Sequence, residues 1–147
     1  MLDIKFVREN LSAVEEAMKN RNSSFDSARF SQLDDERRAA IAEEESLQAK
    51  RNALSKEIGK LMGQGKKDEA EEIKAQVTQI NEQLSEATAR RAAADAGLKE
   101  ILMSTPNMPH PTTPIGKDEN DNPEVRRWGT PREFDFEAKA HWDLGPE

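Results

Sequence analysis

Cysteine is absent from this 147-residue chain, which excludes a disulfide framework and any thiolate metal site. Tyrosine is absent too, and aromatic residues make up only 5% of the sequence, so the bulky side chains that fill globular cores are scarce. No apolar run approaches the roughly 20 residues that cross a bilayer. The opening Met1-Leu2-Asp3-Ile4-Lys5 lacks the basic start and apolar stretch of a secretory signal. These absences predict a soluble cytoplasmic chain. The only histidines, His110 and His141, have no ligand pattern around them. No nucleophile, base and orienting group can be assembled, so no catalytic residue, metal site or cofactor is expected in this chain.

Charge is what the sequence has in abundance. Charged residues make up 35% of it, against 35% hydrophobic, with a mean hydropathy of −0.91. The net charge of −7 argues against a polyanionic partner until its distribution is read. Residues 50–67 carry six basic residues and one acid, a net +5, while residues 34–49 and 104–147 each carry a net −4. Where a polyanion docks is governed by the local potential.

Two apolar stripes with alternating steps of three and four give the architecture. The first runs Leu33, Arg37, Ala40, Glu44, Leu47, Arg51, Leu54, Ile58, Leu61; the second runs Ala70, Ile73, Val77, Ile80, Leu84, Ala87, Arg91, Ala94, Leu98. Such spacing is the inward seam of a coiled coil. Paired from the ends, facing positions always total 131, as an antiparallel hairpin requires, and Arg37, Glu44 and Arg91 all face alanine. The fold expected is therefore all-α: a long antiparallel two-helix coiled coil over about 33–62 and 68–103. Its base carries short N-terminal helices, and an extended linker follows. A thin seam predicts an elongated molecule of modest stability.

The local signals mark the ends of these elements. Asp3 is placed to cap a first short helix, and Asn10 or Ser12 a second. Asn20–Ser31 reads as a polar connector anchored by Phe25 and Phe30. Gly63-Gln64-Gly65 ends the first long helix, and Asp68 with Glu71 resembles a capping box for the second. Gly59 and Gly97 weaken the helical reading where they fall. Beyond Ser104-Thr105-Pro106 the chain is proline-rich, and Glu124–Trp128 reads as a short strand. The tail, with Phe134, Phe136, Trp142 and Leu144, reads like the approach to a further domain, cut short at Glu147. The division expected is an arm domain over 1–103 and a linker over 104–147.

The basic stretch falls at the tip of the arm. Asn52, Lys56 and Lys60 lie one turn apart on one ridge. The expected RNA-contacting residues are Lys50, Arg51, Asn52, Lys56, Lys60, Lys66 and Lys67, with Lys74 and Arg90 from the returning helix. The ordinary alternative is the solvated face of a coiled coil. Two other patterns fail on their own terms. Gly63-x-Gly65-Lys66 has no preceding strand and is no phosphate loop. Asp118-x-Asn120-x-Asn122 places Pro123 where a calcium loop needs glycine.

The segments MLDIKFVREN, DDERRAAI, RNALSKEIGKLMGQGKK, STPNMPHPTTPIGKDENDN, VRRWGTP and HWDLG occur in the order seen in the N-terminal region of bacterial-type seryl-tRNA synthetases, which this chain resembles throughout. Leu11 departs from the proline common there, a point of local capping only. The resemblance implies a homodimeric class II enzyme that activates serine with ATP and magnesium and attaches it to the 3′ end of serine tRNA. It implies an arm that reaches the partner subunit's tRNA and holds the long variable arm and elbow. The active site it implies lies in a following antiparallel-sheet domain, so no catalytic, ATP or serine residue carries over. Alone, the fragment is expected to be inactive and monomeric. The competing reading is a coiled-coil chaperone or interaction subunit of prefoldin type, which would need an apolar tip; here Met62 is the main apolar residue.

Overall fold

A computed structural model describes residues 1–145; the expected break at Glu147 lies outside them. Four helices follow in order: α1 (Ile4–Glu9), α2 (Leu11–Asn20), α3 (Ser27–Gly63) and α4 (Lys67–Ser104). Two 3₁₀ turns, Glu119–Asp121 and His141–Leu144, are the only regular structure beyond α4 among the described residues. α3 and α4 pack against one another as the hairpin. With 37 residues, α3 is about 55 Å long at 1.5 Å per residue.

The seam follows the expected register. Every expected α3 position from Leu33 to Leu61 is buried or half-buried. On α4 the same holds for every position except Arg91, whose side chain is 44% exposed. An alanine-sized gap at Ala40 cannot enclose a guanidinium, so Arg91 leans out to bond Glu44 and approach Asp95.

Three boundaries differ from expectation. α3 starts at Ser27 rather than near 33, because Asp26 accepts a hydrogen bond from the Arg29 amide at 2.9 Å and caps a turn that carries Phe30 into the core. Asn10 and Ser12 do not cap α2 through their side chains: Asn10 Nδ2 donates to the Phe6 carbonyl, and Ser12 lies inside the helix. The Asp68–Glu71 box does not form, since Lys66 occupies the N-cap position and Asp68 and Glu69 sit in the first turn, where they favour the positive end of the helix dipole. Asp3 does cap α1, accepting from the Phe6 amide at 2.9 Å. Both α3 and α4 run unbroken through Gly59 and Gly97. At Gly97 a Cβ would stand 2.8 Å from Leu33 Cδ1, so a larger residue there would make the Leu33 side chain shift.

The core is a knot at the base of the arm. Val7, Val14, Ala17, Met18, Phe30, Leu33, Leu98 and Leu102 form one buried cluster, and the Phe25 ring packs tilted against Phe30 with centroids 5.8 Å apart. Arg8 ties α1 to α3 through two bonds to Asp34, Nε to Oδ2 at 2.5 Å and Nη2 to Oδ1 at 2.7 Å. Asp34 is only 2% exposed, and its hydrogen bond holds the Arg8 guanidinium above its ordinary pKa.

The segment after α4 is partly docked rather than free. Met108 packs on the base cluster, Arg21 Nη1 donates to the Asn107 carbonyl at 3.0 Å, and Asn22 Nδ2 reaches the Gly116 and Lys117 carbonyls at 3.3 Å. Asn22, two residues past the end of α2, is in the left-handed region at φ 53, which asparagine tolerates better than most residues. The expected strand at 124–128 does not form: Val125 and Trp128 are more than 90% exposed and no second strand is present among the described residues. A lone strand has no partner for its backbone groups.

Candidate nucleic-acid interface

The tip is shaped by its turn. Gln64 caps α3, the Gly65 amide bonds the Met62 carbonyl and the Lys66 amide bonds the Leu61 carbonyl, with Gly65 at φ 76. That is a Schellman closure, and the left-handed residue in it favours glycine. It returns the chain at once into α4, leaving Lys66 and Lys67 at the apex.

The nine candidate residues do not form one surface. Asn52, Lys56 and Lys60, four residues apart, share the outer ridge of α3, opposite the seam, and all are exposed. Lys56, Lys60, Leu61, Gln64 and Lys66 line an open concavity at the tip together with Glu57. Lys50 and Arg51 are about 100° apart around the helix: Arg51 is half-buried in the seam itself and Lys50 lies exposed beside it. Lys67 and Lys74, seven residues apart, share one face of α4. Arg90 is not at the tip: 23 residues beyond Lys67, it lies about 35 Å down the arm.

Ion pairing divides the set further. Lys66 is held by Glu69 at 2.9 Å, Lys74 by Glu71 at 2.6 Å, and Arg90 by Glu43 across the hairpin at 2.6 Å. Lys50, Arg51, Lys56, Lys60 and Lys67 make no ion pair among the described residues. Positive charge is thus available chiefly on α3. Sequence reasoning missed why: folding back lays residues 68–81, with four acids and one lysine, against the basic stretch. The signal lay in the same antiparallel pairing that gave the seam.

The tip can offer ammonium groups and an amide to phosphate and sugar oxygens. The described residues hold no group of three His, Asp or Glu placed to bind a metal ion. His110 bonds Thr112 at 2.8 Å and His141 meets Trp142 edge-to-face, so both are engaged locally. Asp118 caps the 3₁₀ turn through the Asn120 amide at 2.9 Å. No helix among the described residues is long and apolar enough to cross a membrane.

Comparison with known proteins gives consistent findings. The family described as the seryl-tRNA synthetase N-terminal domain matches residues 1–109. The serine–tRNA ligase of Neisseria meningitidis serogroup C is 50% identical over 145 residues, 99% of this chain and 34% of that protein. The serine–tRNA ligase of Petrotoga mobilis is 47% identical over 148 residues, 100% of this chain and 35% of that protein. Among solved structures, seryl-tRNA synthetase from Pyrococcus horikoshii, complexed with ATP, superposes with a TM-score of 0.72 at 32% identity, over 88% of this chain and 29% of that one. The chain spans about a third of the length of the curated relatives it matches.

Proposed function

The chain belongs to the seryl-tRNA synthetase N-terminal domain family, and from that premise we propose that its arm binds serine tRNA through the outer ridge of α3. The ridge of Asn52, Lys56 and Lys60 at the far end of the hairpin carries this reading, because it presents exposed donors without internal partners. An RNA helix offers phosphates and 2′-hydroxyls to a rigid arm, which reads shape rather than base sequence. Lys50, Arg51 and Lys67 add charge around the ridge. Lys66, Lys74 and Arg90 contribute less, since each must first leave a carboxylate.

In this proposal residues 1–103 are the RNA-binding arm and 104–147 lead toward further parts of a longer protein. That protein attaches serine to the 3′ end of its tRNA with ATP and magnesium, works as a homodimer in the cytoplasm, and positions the long variable arm and elbow. This chain alone is a monomer and supplies only the grip. A prefoldin-type client grip is disfavoured by the tip itself, where Met62, 46% exposed, is the sole large exposed apolar residue.

The test is salt-dependent binding to serine tRNA and to the same RNA with a shortened variable arm. With Z phosphate contacts, log K falls against log salt with a slope of about −0.7Z to −0.9Z. Lys56→Ala with Lys60→Ala should weaken binding and flatten that slope by about 1.5. Helicity should be unchanged, because both residues face solvent and alanine is the better helix former. Equal affinity and an equal slope for the double variant would leave the ridge as solvated surface only.

A further inference from the structure

The middle of the arm is built against the logic of its ends. Between the Leu33–Leu98 and Leu47–Leu84 layers, the seam holds only alanines and charged residues: Arg37 against Ala94, Ala40 against Arg91, Glu44 against Ala87. The charges are paired across the hairpin. Arg37 Nε meets Asp95 at 2.6 Å, Arg91 Nη1 meets Glu44 at 3.0 Å, and Arg90 Nη2 meets Glu43 at 2.6 Å. The hydrogen bond that Arg91 donates to Glu44 holds its guanidinium above the ordinary pKa. Yet Glu44 is 6% exposed and its Oε1 accepts no hydrogen bond. A half-satisfied buried carboxylate costs stability, and packed apolar residues there would be at least as stable.

What the band supplies is discrimination. An apolar heptad seam is periodic, so helices that slide by seven residues meet again in apolar layers. One such slide pairs Leu54 with Leu84, Ile58 with Ile80 and Leu61 with Val77, layers as large as the native Leu54–Val77, Ile58–Ile73 and Leu61–Ala70. The distal arm alone therefore does not choose. In that slid register Glu44 lies against Ala94, with Leu98 in the place Arg91 held; Asp95 comes beside Glu44, and Arg90 comes beside Lys50. The opposite slide sets Glu44 against Ile80, with Leu84 in the place Arg91 held, and brings Asp95 beside Phe30. Each alternative buries a carboxylate on apolar side chains, and the first also juxtaposes like charges.

We propose that Glu44, Arg91, Arg37 and Asp95 are a register lock that keeps α3 and α4 from sliding by a heptad. A slide would carry the helices about 10 Å past one another and shift the tip relative to the base. The lock stands whether or not the tip meets RNA, so the two readings fail separately.

Disulfide formation in the whole chain tests it. Leu54→Cys with Val77→Cys reports the native register; Leu54→Cys with Leu84→Cys or with Ala70→Cys reports the two slid ones. With the band intact, only the native pair should close. With all four band residues replaced by leucine, crosslinking of a slid pair should rise at least about tenfold, the change expected when about 1.4 kcal/mol of preference is lost. Native-only crosslinking in that variant would show that the turn and the base fix the register unaided, and would overturn the lock. A second arm avoids repacking the seam. Glu44→Arg combined with Arg91→Glu should keep the native crosslink, whereas Glu44→Arg alone should lose it to a slid pair. Native crosslinking by the single reversal would also overturn the lock.

Discussion

Removing the Arg8 guanidinium should cost this molecule more than its position near the N-terminus suggests. Asp34 is 2% exposed and takes both of its hydrogen bonds from Arg8, while the Arg8 side chain is 35% exposed. Breaking a buried pair by removing one partner costs about 3–5 kcal/mol; water reaching the Arg8 side lowers the expected loss to about 2–3 kcal/mol for Arg8→Ala. With a urea m-value of about 1–3 kcal/mol/M, the unfolding midpoint followed by helical circular dichroism should fall by about 1–2 M. Arg8→Leu with Asp34→Leu should recover most of that loss, to within about 1 kcal/mol of the parent, because no orphaned charge remains. Arg8→Lys should fall between, having no fork for a two-point bond. The sign with pH follows from the raised Arg8 pKa: the contribution is fully present below the ordinary guanidinium value and is lost only as pH rises through the raised one. The cost of Arg8→Ala should therefore be flat between about pH 6 and pH 9. A single-variant loss below about 0.5 kcal/mol, or a double variant as unstable as the single one, would refute the reasoning.

Two further outcomes follow from the packing. Gly59→Ala meets nothing within 4 Å and should raise stability by about 0.8–1 kcal/mol in the same urea titration. Gly97→Ala gains the same propensity but drives a methyl to 2.8 Å from Leu33 Cδ1 in the core, so the net change should lie between about zero and a 2 kcal/mol loss. Sedimentation of the chain at micromolar concentration should give a monomer; a tight dimer would place an interface on the arm or on the exposed Phe134, Phe136 and Trp142.

How much of this was legible without coordinates depends on the length of the signal. The hairpin register was legible because eighteen seam positions repeat one spacing, and one misplaced residue among them, Arg91, changes nothing. Caps were legible only in part, because each rests on one side chain with competing uses: Asp3 caps α1 as read, but Asn10 bonds backward to Phe6, and Asp26, read as connector, starts α3. The Arg8–Asp34 tie was invisible for another reason. It joins residues 26 apart in sequence across two helices whose relative placement no periodicity sets. The candidate interface falls between these cases. The basic ridge could be read from spacing along α3, but its partition into free and paired lysines depends on acids that neighbour it only once α4 folds back. Charge summed along a stretch of sequence describes one helix; the field a ligand meets is that of both. For a two-helix arm the pairing rule supplies the second helix, so the free ridge on α3 follows from the register as surely as the apolar layers do.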